Sequence, residues 1–307
     1  MTTLILYHDD CMQHDPGMNH PEQPARLTSV VEALKGMVNT ECLPAPKATR
    51  EQIIRAHDTD YWQWVLDSEP AEGQAPLDPD TFLSPGSVDA TLRASGAACF
   101  AVEQIMEGKA QNAFCATRPP GHHAETSRAM GFCLTNHIAV AAHHALSTQA
   151  VDRVAILDFD VHHGNGTQEI FYTNSNVMYV SSHQMPLYPG TGRADETGCG
   201  NIVNLPLPTG AGSRRFRAAW SGSGLPAVTE FKPDLILVSA GFDAHNDDPL
   251  AQLTLLEPDF AWITKEIGTL AATLCRGRVV SVLEGGYHLD ALASSARTHV
   301  EALTGCP

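Results

Sequence analysis

Short apolar runs alternate along the chain with longer segments whose apolar residues recur at helical spacing. The apolar runs predict buried strands at 4–7, 113–116, 154–157, 177–180, 202–205, 235–239 and 279–283. The periodic segments predict helices at 26–35, 51–56, 60–66, 87–107, 136–149, 167–172, 213–231, 257–276 and 289–303. Ser87 is expected to cap the helix that it begins, and 222–226 to kink or break another. The alternation favours an open α/β fold built on parallel strands.

The segments between these elements give no sign of a domain boundary. No Pro/Gly/Ser-rich linker, repeat or low-complexity tract divides the 307 residues, so we expect one domain over residues 1–307. Residues 69–85 are rich in Pro, Asp and Gly and are predicted to form a long surface loop, whose role the sequence leaves open. His8, His14 and His20 are spaced irregularly in the first loop, and we interpret them as solvated.

Composition and charge narrow the functional classes. The formal net charge of −16 argues against direct binding of nucleic acid and mildly favours cationic substrates. No apolar run is long enough to span a bilayer, and the first residues lack the basic region of a signal peptide, so a cytoplasmic protein with no membrane partner is expected. The eight cysteines form no C-x-x-C pair, which predicts reduced and mostly buried thiols.

Carboxylates and a histidine follow two of the predicted strands directly. Asp158, Asp160 and His162 end the run 154–157, and side chains that alternate along extended chain would all point to one side. Two carboxylates with one imidazole suit a divalent cation of the zinc type, and three protein ligands leave a position open for water or substrate. Asp243, just after the run 235–239, supplies the third ligand. The alternatives are a solvated acidic strand end and, for Asp243, a helix N-cap.

Two further strand ends carry residues that suit catalysis. His122 and His123 follow an irregular Arg-Pro-Pro-Gly backbone, which is costly to build and rarely placed in a core. The second tandem pair, at 143–144, falls inside a predicted helix and is interpreted as structural. Tyr287 follows a Gly-Gly pair, which lets the backbone approach a site and turns the phenol inward. A structural tyrosine after a turn is the alternative.

Five separated blocks resemble the signature sequences of the zinc-dependent histone deacetylase family, in the form found in its class II branch and the bacterial relatives of that branch. The blocks are Arg118-Pro-Pro-Gly-His-His-Ala, Leu157-Asp-Phe-Asp-Val-His-His-Gly-Asn-Gly-Thr, Tyr188-Pro-Gly-Thr-Gly, Ser239-Ala-Gly-Phe-Asp-Ala and Leu283-Glu-Gly-Gly-Tyr. The resemblance runs from about His20 to about Leu303. It implies an arginase-like α/β fold of three layers, with a mainly parallel sheet of about eight strands between helices.

The resemblance also implies an enzyme that hydrolyses the acetyl, or other acyl, amide of acetyl-lysine or a related acylated amine with metal-activated water. The zinc ligands would be Asp160, His162 and Asp243. His123 would act as general base toward the water and then as acid toward the leaving amine, while His122 orients and stabilises charge. Tyr287 would donate its hydroxyl to the developing oxyanion.

The family pairs its two tandem histidines with different partners. His122 would meet Asp158, whose carboxylate favours a charged imidazole. His123 would meet Asn165, whose neutral amide does not hold an imidazole in its charged form. This difference fits His123 as the base.

Substrate and ion contacts are carried over from the family in the same way. The resemblance implies a substrate tunnel whose aromatic walls are Phe132, beside Gly131, and Tyr188. It places Leu250 at the gatekeeper position and Arg26 near an internal acetate channel. It implies a structural potassium ion at Asp158, Asp160, His162, Ser181 and Ser182, and a second at Phe171, Asn174 and Val177. One Zn²⁺ per chain is expected, although Fe²⁺ could occupy the same ligands.

Alternative functions stay open at this stage. An acetylpolyamine or other small-molecule amidohydrolase would share the chemistry, but polyamine-selective relatives carry a glutamate where this sequence has Leu250. A silent module that binds acylated lysine is disfavoured because the ligands, the tandem histidines and Tyr287 are all present. A dimanganese hydrolase of the arginase type needs more carboxylates. The physiological substrate, the preferred acyl chain and homo-oligomer formation are not determined by the sequence.

Overall fold

One large sheet organises the protein, whose computed structural model describes residues 2–148 and 150–306. The strands are β1 (Thr3–Tyr7), β2 (Thr40–Pro44), β3 (Ala75–Asp78), β4 (Thr81–Leu83), β5 (Asn112–Cys115), β6 (Val154–Asp158), β7 (Val177–Gln184), β8 (Ile202–Leu207), β9 (Leu235–Ala240) and β10 (Val279–Leu283). Eight of them form one sheet in the order β2-β1-β5-β10-β9-β6-β7-β8, while β3 and β4 pair as a separate hairpin. Every neighbouring pair in the large sheet is parallel.

Helices cover both faces of this sheet. They are α1 (Pro24–Leu34), α2 (Arg50–Ile53), α3 (Thr59–Asp67), α4 (Ser87–Met106), α5 (His137–Leu146), α6 (Asn165–Phe171), α7 (Ser213–Ala219), α8 (Leu225–Phe231), α9 (Glu257–Leu274) and α10 (Leu289–Thr304). Alternate strand residues enter two apolar clusters, with α4 and α5 on one face and α1, α9 and α10 on the other. The three-layer α/β/α fold is therefore confirmed.

The burial of each strand explains why the apolar pattern predicted some strands and missed another. All residues of β5, β6, β9 and β10 are buried, and such strands read as continuous apolar runs because helices cover both of their faces. Strand β2 was missed because it lies at the edge of the sheet, where most of its side chains are exposed or half-buried and its sequence is mixed.

The first third of the chain corrects three sequence predictions. Residues 69–85 are not only loop, because they contain the β3–β4 hairpin. Gly86, not Ser87, occupies the position before α4, with a left-handed φ of 88°. The Ser87 hydroxyl lies 2.7 Å from Nδ1 of His14, and His14 is buried instead of solvated.

The helix predicted over 213–231 does not break at its glycines. It continues from α7 to α8 through a π-helical turn, Trp220–Gly224, which absorbs the irregular Gly-Ser-Gly sequence. The helix predicted over 136–149 ends at Leu146, and the predicted last residue, Gln149, lies outside the described residues. None of the helices described is both long and apolar enough to cross a membrane.

Candidate metal and catalytic site

The three predicted metal ligands meet where β6 and β9 end. Asp160, His162 and Asp243 are buried, and one ligand atom from each lies within 4.8 Å of the others. The His162 Nδ1 atom is 3.2 Å from Asp160 Oδ1 and 3.0 Å from Asp243 Oδ2. Strands β6 and β9 are neighbours in the sheet, so their carboxyl ends bring the two carboxylates to the same place.

The route by which these side chains converge differs from the predicted one. Strand β6 ends at Asp158, so the alternation of extended chain does not reach His162. Instead, the Asp160 N–H donates to Asp158 Oδ1 at 3.1 Å, and the His162 N–H donates to Asp160 Oδ1 at 2.9 Å. Two successive aspartate turns therefore coil the backbone and present the ligands.

Glycines allow the backbone to pass very close to the carboxylates. A Cβ atom at Gly241 would lie 2.0 Å from Asp160 Oδ2, and one at Gly285 would lie 2.2 Å from Asp243 Oδ2. The Gly285 N–H also donates to Asp160 Oδ2 at 2.8 Å. These positions require glycine because the ligand carboxylates occupy the space of a side chain.

The donor set fits a divalent cation. Burial and the neighbouring Asp160 carboxylate raise the pKa of Asp243 to about 7, because burial disfavours a charged carboxylate and the two negative charges repel each other. A bound cation would stabilise both in their charged forms. Two oxygen donors with one imidazole nitrogen, all buried, match the ligand types of a catalytic zinc site with an open position.

The tandem histidines meet the partners expected of them. His122 Nδ1 lies 3.0 Å from Asp158 Oδ2, and His123 Nδ1 lies 2.8 Å from Asn165 Oδ1. Burial alone would lower the pKa of His122, but the carboxylates of Asp160 and Asp158 outweigh it and raise that pKa to about 10.

His123 has the opposite electrostatic setting. Burial, together with positive charge on His122 and His162, holds the pKa of His123 well below its ordinary value. One tandem histidine is thus stabilised as a cation and the other as a neutral imidazole. A neutral imidazole can accept a proton from water, which is the property required of a general base.

A cavity of about 220 Å³ opens onto this cluster. Seven of its nine lining residues were predicted to belong to the site, and two were not singled out in the sequence. The nine are Asp80, His123, Gly131, Phe132, His162, Leu187, Tyr188, Leu250 and Tyr287. The additions are Asp80 and Leu187. Asp80 belongs to the turn of the β3–β4 hairpin, inside the segment whose role the sequence left open.

The hairpin also supports the aromatic wall. Gly131 and Phe132 have left-handed φ values of 57° and 69°, which a phenylalanine rarely adopts. Asp80 Oδ1 accepts the Gly131 N–H at 3.1 Å, and Thr81 Oγ1 accepts the Phe132 N–H at 3.0 Å. The hairpin therefore fixes the backbone that presents Phe132 to the cavity.

Tyr287 and Arg26 form a stacked pair beside the cavity. The Arg26 guanidinium lies 4.8 Å from the centroid of the Tyr287 ring. Arg26 also donates to the carbonyls of Gly286 and Glu284, at 2.6 and 2.5 Å, and is fully buried. It is not among the residues that line the cavity, so it contacts the tyrosine and the backbone before it, not the space open to substrate.

Two buried carboxylates that the sequence did not single out bind the backbone beside the tandem histidines and Tyr287. Glu284 Oε2 accepts the N–H groups of Gly121 and His122, at 2.6 and 3.2 Å. Asp248 Oδ2 accepts the Tyr287 N–H at 2.7 Å. Each contact joins segments more than 30 residues apart, and therefore no local pattern in the sequence could reveal it.

The two potassium sites implied by the resemblance differ in the structure. Asp158 lies opposite Ser181 in the register of β6 and β7, which brings together two residues of the first site. The carbonyl oxygens of Phe171, Asn174 and Val177 also converge, but each accepts a hydrogen bond from the side-chain amide of Asn201. The position that the predicted second ion would take is therefore filled by the Asn201 amide in this structure.

A buried cluster of two carboxylates and an imidazole, beside paired histidines at the end of a parallel sheet, is the arrangement of a metal-assisted hydrolase. Comparison with known proteins makes the class specific. The sequence model of the family described as "Histone deacetylase domain" matches residues 20–303. The chain belongs to the histone deacetylase family, and it is a hydrolase of that family.

Individual relatives agree with this assignment. The Synechocystis protein slr0245 is 41% identical over 299 residues, which make up 95% of this chain and 96% of that protein. A protein of Archaeoglobus fulgidus named "Probable deacetylase" is 38% identical over 299 residues, covering 94% of this chain and 82% of that protein. The crystal structure of the HDA15 HD domain superposes with a TM-score of 0.93 at 34% identity, covering 99% of this chain and 91% of that one.

Proposed function

We propose that this protein hydrolyses the acetyl amide of acetylated lysine side chains. The observation that carries the proposal is the asymmetric pairing of the tandem histidines, with a carboxylate on His122 and an amide on His123, next to three buried residues that could hold a metal ion. This pairing supplies a fixed positive charge and a neutral base within one site, as the hydrolysis of an amide requires.

The chain's own residues divide the work of the reaction. Asp160, His162 and Asp243 would hold Zn²⁺, which when bound polarises the acyl carbonyl and lowers the pKa of water. Nε2 of neutral His123 accepts a proton from the attacking water and returns it to the leaving amine. His122, kept cationic by Asp158, stabilises negative charge as it develops.

Tyr287 also lines the cavity. Its hydroxyl has no hydrogen-bond partner among residues 2–148 and 150–306, whereas its backbone N–H is held by Asp248. Burial raises the pKa of Tyr287 well above its ordinary value, so the phenol keeps its proton and remains a donor. It is therefore free to donate to the oxyanion of the transition state.

The lining of the cavity favours an extended acyl-amine chain. Phe132 and Tyr188 provide aromatic surfaces, and Leu250 adds an apolar side chain without charge. An apolar residue at that position favours the neutral backbone of an acetyl-lysine peptide over the distant ammonium of a polyamine. We also propose that the first potassium ion binds near Asp158 and Ser181, which are opposite each other on β6 and β7.

One observation favours an acetylated polyamine as a second candidate substrate. Asp80 lines the cavity and is about half-buried, so it offers an anion that Leu250 does not. Burial and the nearby Asp78 raise the pKa of Asp80. One oxygen of Asp80 already accepts a hydrogen bond from the Gly131 N–H. We therefore rank acetyl-lysine first as the substrate.

The decisive experiment compares kcat/KM for an acetyl-lysine peptide with kcat/KM for N8-acetylspermidine. We expect the wild type to prefer the peptide, and Leu250→Glu to shift the ratio toward the polyamine, with a shift that shrinks as salt screens the new charge. Asp80→Asn, which retains an acceptor for Gly131, serves as the matched variant. If the wild type prefers acetylspermidine and Asp80→Asn lacks that preference, an acetylated polyamine is the better candidate for the substrate.

A further inference from the structure

A side-chain amide lies at the centre of three converging carbonyl oxygens beneath the start of β7. Nδ2 of Asn201 is 2.8 Å from the Phe171 oxygen, 3.1 Å from the Asn174 oxygen and 2.8 Å from the Val177 oxygen. Asn201 is 4% exposed, so water does not compete for these contacts. An amide nitrogen among three carbonyls acts as a local positive pole.

The orientation of this amide is fixed from its other side. Asn201 Oδ1 accepts the Cys199 N–H at 3.1 Å and the Cys199 thiol at 3.2 Å. A Cβ atom at Gly198 would lie 2.6 Å from Oδ1, so a side chain there would displace the oxygen. A rotated amide would place Oδ1 against three carbonyl oxygens and turn every contact repulsive. The nitrogen must therefore face the carbonyls.

Converging carbonyl oxygens are also how proteins bind potassium, since such oxygens replace the hydration shell of the ion. Within residues 2–148 and 150–306, the Phe171 and Asn174 oxygens each accept one other hydrogen bond, from the turn N–H groups of Asn174 and Val177 at 3.0 and 3.1 Å. Each keeps a lone pair for a central donor or a cation. The position can hold the amide or an ion, but not both.

We propose that the Asn201 amide takes the place of a second structural monovalent cation, so that the turn between α6 and β7 is held without an ion. The amide is covalently attached and needs no dehydration, and its contacts persist at any potassium concentration. The turn matters because α6 begins at Asn165, the partner of His123, and β7 carries Ser181. The inference does not depend on the proposed substrate or reaction.

Removing the amide should create the ion site. Asn201→Ala leaves three buried carbonyls around a space of amide size, and we expect it to lower Tm by about 5 °C in sodium, from the cost of unsatisfied buried acceptors. Replacing sodium chloride with potassium chloride should raise Tm again by at least half of that decrease. The wild type should show a smaller potassium response, from the first site alone.

Asn112→Ala is a control that frees a single buried carbonyl. Asn112 is 2% exposed, and its Nδ2 donates to the Leu303 carbonyl at 3.0 Å, so its removal leaves no group of converging oxygens for an ion. Its removal should lower Tm in a similar way, but the loss should be the same in potassium and sodium. This control separates a new ion site from a general response of weakened variants to potassium.

Thallous ions, which imitate potassium and scatter X-rays anomalously, give a second measurement that needs no variant. Crystals of the wild type soaked in thallous acetate should show no anomalous peak among the Phe171, Asn174 and Val177 oxygens, while crystals of Asn201→Ala should show one. A peak there in the wild type would overturn the proposal, even if the variant failed to fold. So would an Asn201→Ala protein whose stability does not distinguish potassium from sodium.

Discussion

Tyr287→Phe isolates the proposed oxyanion donor with little disturbance of the site. The ring would keep its contacts with the Arg26 guanidinium, 4.8 Å from its centroid, and with the Phe132 ring at 5.8 Å. The lost hydroxyl has no partner among the residues that the structure describes, so no protein group is left unpaired. We therefore expect folding stability and metal content to stay close to those of the wild type.

The magnitude follows from the role of the lost donor. Removal of one preorganised donor to an oxyanion costs on the order of 10²–10³ in kcat, or about 2.7–4 kcal/mol of transition-state stabilisation. A contact made equally with ground state and transition state would instead raise KM. Because the Tyr287 phenol is proposed to donate to an oxyanion that exists only in the transition state, we place the loss in kcat, with KM within a few-fold of wild type.

Steady-state kinetics on an acetyl-lysine peptide, with elemental analysis of the same preparation, provides the assay. The wild type and the variant must contain equal amounts of metal for the comparison to hold. Tyr172→Phe, at an exposed tyrosine outside the site, is the control and should have wild-type activity. A Tyr287→Phe enzyme that retains more than about a tenth of wild-type kcat, against the expected loss, would make the tyrosine structural.

Three further predictions test the site and its supports. Asp243→Ala should lose bound metal and turnover together, whereas Asp247→Ala should lose neither; full zinc occupancy in the first variant would contradict the ligand assignment. Thr81→Val removes the acceptor of the Phe132 N–H and should lower kcat/KM about fivefold, for one hydrogen bond of about 1 kcal/mol, and Thr81→Ser should restore it. Burial lowers the pKa of His299 to about 3. An unfolded histidine titrates near pH 6.5, so folding stability is lost as the pH falls below that value, by about 1.4 kcal/mol per pH unit for this residue. In His299→Gln, the free energy of unfolding measured with urea should therefore depend less steeply on pH between 6.5 and 5. An unchanged pH dependence would refute this role of His299.

The sequence was most informative where strands end. Parallel strands bring their carboxyl ends to one edge of a sheet, so polar residues after separate apolar runs must lie near one another. This argument predicted that Asp160 and Asp243, 83 positions apart, share a site, and the neighbouring positions of β6 and β9 place them together. It did not predict the aspartate turns that aim the ligands, because those depend on backbone hydrogen bonds.

Contacts made by backbone groups could not be predicted from the pattern of side chains. The carbonyls around Asn201 carry no side-chain signal, and Asn201 itself looks like an ordinary turn residue before β8. Asp80 belongs to a short hairpin whose proline and aspartate hide any strand pattern. Only its position in the folded chain, across from Gly131, shows that it lines the cavity.

The order of the strands has a consequence for how the protein is made. Strand β10 pairs with β5 on one side and with β9 on the other, so it joins the group β2-β1-β5 to the group β9-β6-β7-β8. The ribosome produces β10 after every other strand of that sheet. Until Val279–Leu283 emerges, β5 and β9 lack a partner strand on one side, and any half-sheet that has already formed has an unpaired edge that is liable to aggregate. We expect chaperones to engage this chain late in translation, and Tyr287 to join the histidines only as the two halves close.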